Sequence, residues 1–251
     1  MKFRLKAFCL HLLGSACVLT LVWGGLYLGW YRWPGWYLTG VLQIGGIMAA
    51  VDLVLGPSLT LIIANPGKPR RELARDVSII VFVQIVALVY GSVTLWHGRP
   101  IYYTYSEKWL EMVQASDINF TETDLARKQN PQFAPHWYSL PRWVWAPLPQ
   151  DEKLANEIFK NAIGGGADVT QMPRYFKPYS QAYSEMRTRL KVVDSFGEFS
   201  MREKQRLKER MQQRGFAVDQ PIAMVMMGRT KPILAIFDPD RMQIRAWITA
   251  D

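Results

Sequence analysis

The sequence predicts a membrane α-helical region of three transmembrane helices, followed by a C-terminal α+β domain with a small antiparallel sheet. Three observations predict it. Apolar residues crowd into roughly the first hundred of 251 positions, so the mean hydropathy of −0.04 averages an apolar part and a polar part. Three apolar runs, about 7–27, 37–64 and 77–95, are long enough to cross a bilayer, which takes about 20 residues of helix. The remaining residues, 98–251, alternate helical stripes with short β-rich runs, separated by Gly, Pro and Asp turns.

The first run begins with basic "MKFRLK", as a signal peptide would. It lacks a small-x-small cleavage site and continues through "VLTLVWGGLYLGW", so we read it as an uncleaved anchor. Cys9 and Cys17 lie eight residues apart on this helix, about 12 Å along its axis, too far to pair. They read as small, buried apolar residues. The rest of the chain has no cysteine, hence no disulfide and no thiolate metal site. The second run exceeds one span; it tilts, bends at Pro57 or starts after Tyr37.

Cations orient the spans. Lys2, Arg4 and Lys6 precede the first, and Lys68, Arg70, Arg71 and Arg75 separate the second from the third. The loop after the first span carries only Arg32. Positive-inside logic places the N-terminus and the second loop in the cytoplasm, and 98–251 outside. Trp30, Trp33, Trp36 and Tyr37 cluster at the outer end, as an interfacial aromatic belt would.

Residues 98–251 suffice for one domain and carry 22 Lys and Arg against 18 Asp and Glu, a net of +4. "RPIYYTYSEKWLEMVQASDI" reads as a hairpin broken at "SEK". A capping box from Thr121 to Asp124 starts a short helix. A Pro- and Trp-rich connection at 130–150 holds one short strand at 143–146. Asp151 caps a helix with Leu154, Ile158, Phe159 and Ala162 on one face, stopped by Gly164, Gly165 and Gly166. Tyr183, Met186, Leu190 and Val193 form the stripe of the next helix. Ser200 and Glu203 form a capping box for another, which ends at Gly215. Three strands, about 222–227, 233–237 and 243–248, with "GRTKP" and "DPDR" between them, read as an antiparallel meander with helices on one face of the sheet.

The Ser200–Arg214 helix carries Arg202, Lys204, Arg206, Lys208, Arg210 and Arg214 against Glu203 and Glu209. It offers a contact for anionic lipid or an acidic protein face, or is a solvated face anchored by Leu207 and Met211. One basic helix without a reader motif does not point to nucleic acid, and none is expected as a partner. His11, His97 and His136 are not in ligand spacing, and neither a G-x-S-x-G nor a P-loop motif occurs. The Gly triplet follows a helix rather than a strand, so it reads as a cap and linker instead of a phosphate cradle. We therefore expect no enzyme, no catalytic, cofactor-binding or metal-ligating residues, and no cofactor.

Asp52 is the anomaly. A carboxylate at mid-membrane costs at least ~2.5 kcal/mol, so it must face protein or water, or be protonated. Asp52 lies 13 residues before Asn65, and Gln84 lies 12 residues after Glu72, so the two reach similar depth in antiparallel helices. An Asp52–Gln84 hydrogen bond within the hairpin is one reading; a site for another membrane helix is the other. Gly45, Gly46, Gly56, Ala49 and Ala50 permit close helix approach under both.

These residues resemble a known family. Asp52 with Leu55-Gly56-Pro57 and Leu59-Thr60-Leu61, Pro66, Lys68, Leu73, Asp76, Gln84, Ala87-Leu88, Tyr90-Gly91 and Arg99-Pro100 are similar to the pattern of type IV pilin accessory proteins of the TfpX/TfpZ kind. The match covers about 50–103 and extends loosely to "MPRYFKPY". The resemblance implies a protein of the bacterial inner membrane, with 98–251 in the periplasm, that acts as a chaperone or assembly modulator of the major type IV pilin without catalysis. From the layout of a membrane-held pilin we further expect a two-point contact, with its transmembrane helix and with its periplasmic head, besides contact with membrane lipid. Candidate contact residues are Asp52, Gly56, Pro57, Gln84, Tyr90, Arg99 and Pro100, joined by Arg202, Arg206 and Arg210 of the basic helix. The alternatives are a membrane-anchored enzyme or ligand sensor, with a pocket near Tyr175, His136 or Arg142, and a DNA-uptake component suggested by the pI of about 9.6.

Overall fold

The structure, a computed structural model, describes residues 1–107 and 109–251. The chain forms two compact units, Met1–Arg32 with Gly40–Gly98, and Trp33–Thr39 with Arg99–Asp251.

The first unit holds three helices long and apolar enough to cross a membrane. The first is α1 (Lys2–Gly29). The short α2 (Gly35–Thr39) belongs to the second unit. The next long helix, Val41–Ile63, comprises α3 (Val41–Ala49), a π-helical segment Ala50–Leu55, and α4 (Gly56–Ile63). The last is α5 (Arg70–His97).

The second long helix begins later than position 37, because Gly40 takes a left-handed φ of 69° that interrupts the run. Only glycine adopts that conformation at low cost. Tyr37 consequently leaves the apolar stretch. It packs on the core of the second unit and against the Trp33 and Trp36 rings, and donates to Asp251 Oδ1 at 2.8 Å.

Close approach within the first unit rests on glycine. A Cβ on Gly45 would lie 2.0 Å from the Trp23 ring, and one on Gly91 would lie 2.6 Å from Met48 Sδ. Small residues at these points let the helix backbones approach closely. Helix α1 turns His11, Ser15, Leu19, Trp23 and Leu26 inward, at steps of three and four residues. Cys9 and Cys17, expected to be buried, fall on its opposite side and are exposed. Tyr31 donates to the Leu95 carbonyl at 2.6 Å, and Lys68 pairs with Asp76 at 2.8 Å beside the α4–α5 turn.

The second unit is built on β1 (Pro100–Ser106), β2 (Trp109–Gln114), β3 (Arg142–Trp145), β4 (Lys177–Pro178), β5 (Ala223–Met227), β6 (Ile233–Asp238) and β7 (Gln243–Ile248). These form one seven-stranded sheet of order β4-β3-β1-β2-β5-β6-β7. The hairpin β1–β2 and the meander β5–β6–β7 are antiparallel, as expected. The turn expected at "SEK" includes Lys108, which lies outside the described residues.

The sheet as a whole is mixed, which corrects the small antiparallel sheet. Strand β3 runs parallel to β1, and β5 runs parallel to β2. The long connections through α6 (Phe120–Gln129), and through α7 (Glu152–Ile163), α8 (Tyr183–Arg189) and α9 (Met201–Gln213), return the chain to the same end of the sheet, where only parallel pairing is available.

Helices also cover both faces of the sheet, not one. Met224, Met226, Ile233, Ala235 and Phe237 face Met186 and Leu190 of the α8 region, together with Leu38 of α2. Val225, Leu234 and Ile236 face Leu207 and Met211 of α9. Every residue of β1 is buried, as suits a central strand covered on both sides.

Local expectations for the helices need three corrections. Helix α6 starts at Phe120, because Asn119 Oδ1 accepts from Glu122 N at 2.8 Å and outcompetes Thr121 as the cap. Phe159 is 62 % exposed, because it lies one residue round α7 from the inward Ile158. Helix α8 ends at Arg189, and Leu190 and Val193 are buried from extended and 3₁₀ segments instead. The Ser200–Glu203 capping box and the Asp151 cap form as expected.

Leu207 is fully buried, so Leu207→Ala should lower unfolding free energy by about 2–5 kcal/mol. Phe159→Ala should change it by less than about 0.5 kcal/mol. Chemical denaturation of both variants followed by tryptophan fluorescence checks the contrast.

Candidate functional site

A groove of about 480 Å³ crosses the first unit. Its walls come from α1 and α5, with Asp52 and Thr60 contributed by the middle helix. Its rim includes Leu10, Val81 and Ile85, which are exposed, so the groove is open along its side. The lining is apolar except for His11, Ser15, Asp52, Thr60 and Gln84.

Those five polar residues form one network. His11 Nδ1 lies 2.6 Å from Thr60 Oγ1, and His11 Nε2 lies 2.7 Å from Gln84 Oε1. Since the Gln84 oxygen can only accept, His11 Nε2–H donates to it. Gln84 Nε2 in turn donates to the Asp52 carbonyl at 3.2 Å, with Asp52 Oδ1 and Ser15 Oγ both at 3.5 Å.

The backbone around Asp52 explains why the amide is needed. Gly56 N–H bonds to Val51 O, five residues back. In that π register the donor for the Asp52 carbonyl falls on Pro57, which has no N–H. The Gln84 amide supplies the missing hydrogen bond from the neighbouring helix. A buried carbonyl without a partner would cost about 1–3 kcal/mol, and more where no water competes. Gly56 makes room, since a Cβ there would lie 2.1 Å from Gln84 Nε2. Asp52, Gly56, Pro57 and Gln84 therefore act as one device: proline and the π turn expose a carbonyl, glycine opens the approach, and glutamine fills it.

The structure thus brings Asp52 and Gln84 together, mainly through the Asp52 backbone. Sequence reasoning missed His11, Thr60 and Ser15. His11 was visible as a polar residue in an apolar span, but nothing in the sequence sets the register of α1 against α4 and α5.

The other candidate residues lie elsewhere. Tyr90 is 77 % exposed on α5 and does not line the groove. Arg99 is buried, and its Nη2 donates to the Trp137 carbonyl at 2.9 Å. Pro100 is buried in β1. On α9, Arg210 Nη1 donates to Thr249 O and Oγ1 at 2.9 and 2.7 Å, Lys208 pairs with Asp194 at 2.6 Å, and Arg214 reaches the Trp247 carbonyl. Much of the helix's charge is thus held within its own unit, while Arg202 and Arg206 are exposed. Near the alternative pocket, Arg142 binds the Gln132 carbonyl, the Arg174 guanidinium covers the Tyr175 ring, and His136 stacks on Tyr138. Gly164 ends α7, and Gly165 follows in a left-handed φ of 83°, as a cap requires.

Arg206 lines a smaller cavity of about 140 Å³ with Tyr37, Glu203, Lys231 and Asp251. Burial pushes the Tyr37 hydroxyl well above its usual range, and its hydrogen bond to Asp251 adds to this. Burial also pushes the Asp251 carboxyl up, but the Tyr37 hydroxyl and the Lys231 ammonium outweigh it and hold the group below the usual carboxylate range. A depressed folded-state value stabilises the fold above the unfolded pKa, and this contribution disappears as pH falls through the folded one.

The apolar three-helix unit and the mixed-sheet unit define a class: a protein with three candidate membrane spans, a polar seam among them, and a folded head. Within that class the chain is similar to the fimbrial assembly proteins of serogroups I and E1 of Dichelobacter nodosus. It is 26 % identical to each over 214 residues, which span 84 % of this chain and 80 % of each relative. It is also similar to the fimbrial assembly protein of serogroups C1 and C2 of that organism, 29 % identical over 120 residues, which are 48 % of this chain and 92 % of that protein. The likeness supports a fimbrial assembly family; it does not reach the narrower accessory type that the motifs resemble. No family model matches the chain, and no solved structure matches it at a significant level.

Two outcomes follow. Gly56→Ala should displace Gln84, break the His11–Gln84 bond and lower the melting temperature in detergent, whereas Gly46→Ala, which meets nothing within 4 Å, should leave it unchanged. Hydrogen-exchange protection of 33–39, taken relative to the intrinsic exchange rate at each pH, should fall as pH drops below the usual carboxylate range, and Asp251→Asn should flatten that dependence.

Proposed function

We propose that the chain is an accessory protein of the bacterial inner membrane that stabilises the major type IV pilin or modulates its assembly. Its three long helices cross the bilayer, with the N-terminus in the cytoplasm and the second unit in the periplasm. The cations of 2–6 and 68–75 support this orientation. It works by binding a pilin and lipid; it is not an enzyme and takes no nucleic acid.

One observation carries the reading: the side-open groove, apolar at its rim and polar at its centre. An apolar helix fits such a groove by packing, as small-residue and hydrogen-bonding surfaces do in lipid. A membrane-bound pilin supplies a helix of that kind. The likeness to fimbrial assembly proteins supports the same reading.

Photo-crosslinkers at Val81 and Ile85 should yield an adduct with the pilin, and the same crosslinker at Ile62, outside the groove, should not. Deleting the gene should lower pilin level if the protein stabilises pilin, or abolish surface pili at constant pilin level if it serves assembly. No adduct at either groove position, together with unchanged pilin and pili, overturns the proposal.

A further inference from the structure

The second unit carries an exposed aromatic loop that the groove does not explain. His136 N donates to Ser139 Oγ at 2.8 Å, and Ser139 N donates to the His136 carbonyl at 3.0 Å. The Tyr138 ring stacks on His136 at 5.3 Å and meets the Trp137 ring edge-on at 5.4 Å. The buried Arg99 guanidinium binds the Trp137 carbonyl from below. The loop is therefore built as a rigid turn. Yet Trp137 is 73 % exposed, Tyr138 57 % and Leu140 58 %.

Single exposed apolar residues are ordinary, but three within four positions on a clamped turn are not. Their chemistry selects among occupants. Trp and Tyr join an apolar body to a polar tip, which suits the boundary between lipid and water. Placement agrees. The clamp residue Arg99 is the second residue after His97, the last of α5, so about 7 Å of extended chain separates them.

We propose that the 136–140 loop is a membrane-interface anchor, with Trp137, Tyr138 and Leu140 seated among lipid headgroups and upper acyl chains. This rests on the reading that α5 crosses a bilayer, and it adds a lipid contact made by the second unit.

The test uses the full chain in nanodiscs of phosphatidylethanolamine and phosphatidylglycerol. Spin labels are placed on Tyr138→Cys, Leu140→Cys, Phe159→Cys and Ile85→Cys, each in a Cys9→Ala, Cys17→Ala background. Relaxation by oxygen, which enters lipid, is compared with relaxation by a water-soluble nickel chelate. Positions 138 and 140 should show an oxygen-to-nickel ratio several-fold above that of 159. Values equal to that of 159, with 85 reporting lipid, overturn the anchor and leave the spanning reading intact. Nickel access at 85 overturns both. Labels at 138 and 140 immobilised and shielded from both reagents show a protein-covered loop, which also overturns the lipid anchor.

Discussion

The first unit depends on one hydrogen bond, from the Gln84 amide to the Asp52 carbonyl. Inside a packed apolar bundle no water reaches a broken helix, so every freed backbone group needs a partner from protein. Pro57 and the π turn free such a group, and the neighbouring helix returns a donor to it. Once Gln84 is committed there, its oxygen faces His11, and His11 in turn holds Thr60. Three helices are thereby tied at one depth by a chain of polar contacts. Low dielectric strengthens each contact and makes the loss of any one expensive.

The same network gives the groove its character. A purely apolar seam between α1 and α5 would close by packing or fill with lipid tails without preference. On the proposed reading, polar atoms at its centre, beneath an apolar rim, suit an occupant that is apolar along its length and can meet a polar group midway. The second unit answers a different demand. Its sheet is buried on both faces, and α9 uses much of its charge to hold the β7 end and the Asp194 turn. A helix that looks like a free cationic surface is thus partly a structural strut.

Much of the architecture was legible beforehand. Apolar length marked the three long helices, and the Ser200–Glu203 box and the Asp151 cap marked helix starts, because these signals are local. Counting depth from the α4–α5 turn also paired Asp52 with Gln84, since a short turn fixes the register of the two helices it joins. His11 escaped because α1 is joined to the middle helix through Trp33–Thr39, which leaves the bundle for the other unit. The Gly45–Trp23 approach fixes α1 against the middle helix, a contact no linear count reveals.

By itself, then, the sequence determined roughly where most helices and strands lie, which residues are apolar enough for lipid, and that a carboxylate and a proline share one span. The tertiary structure alone decided that the sheet is mixed, that Phe159 and the two cysteines face outward, and that Gln84 serves a carbonyl more closely than a carboxylate. The reason is physical. Caps, periodicity and hydrophobic length act over a few neighbouring residues, whereas parallel pairing, helix register and polar satisfaction are settled between segments far apart in the chain, by which groups can be brought within hydrogen-bonding and packing distance at once.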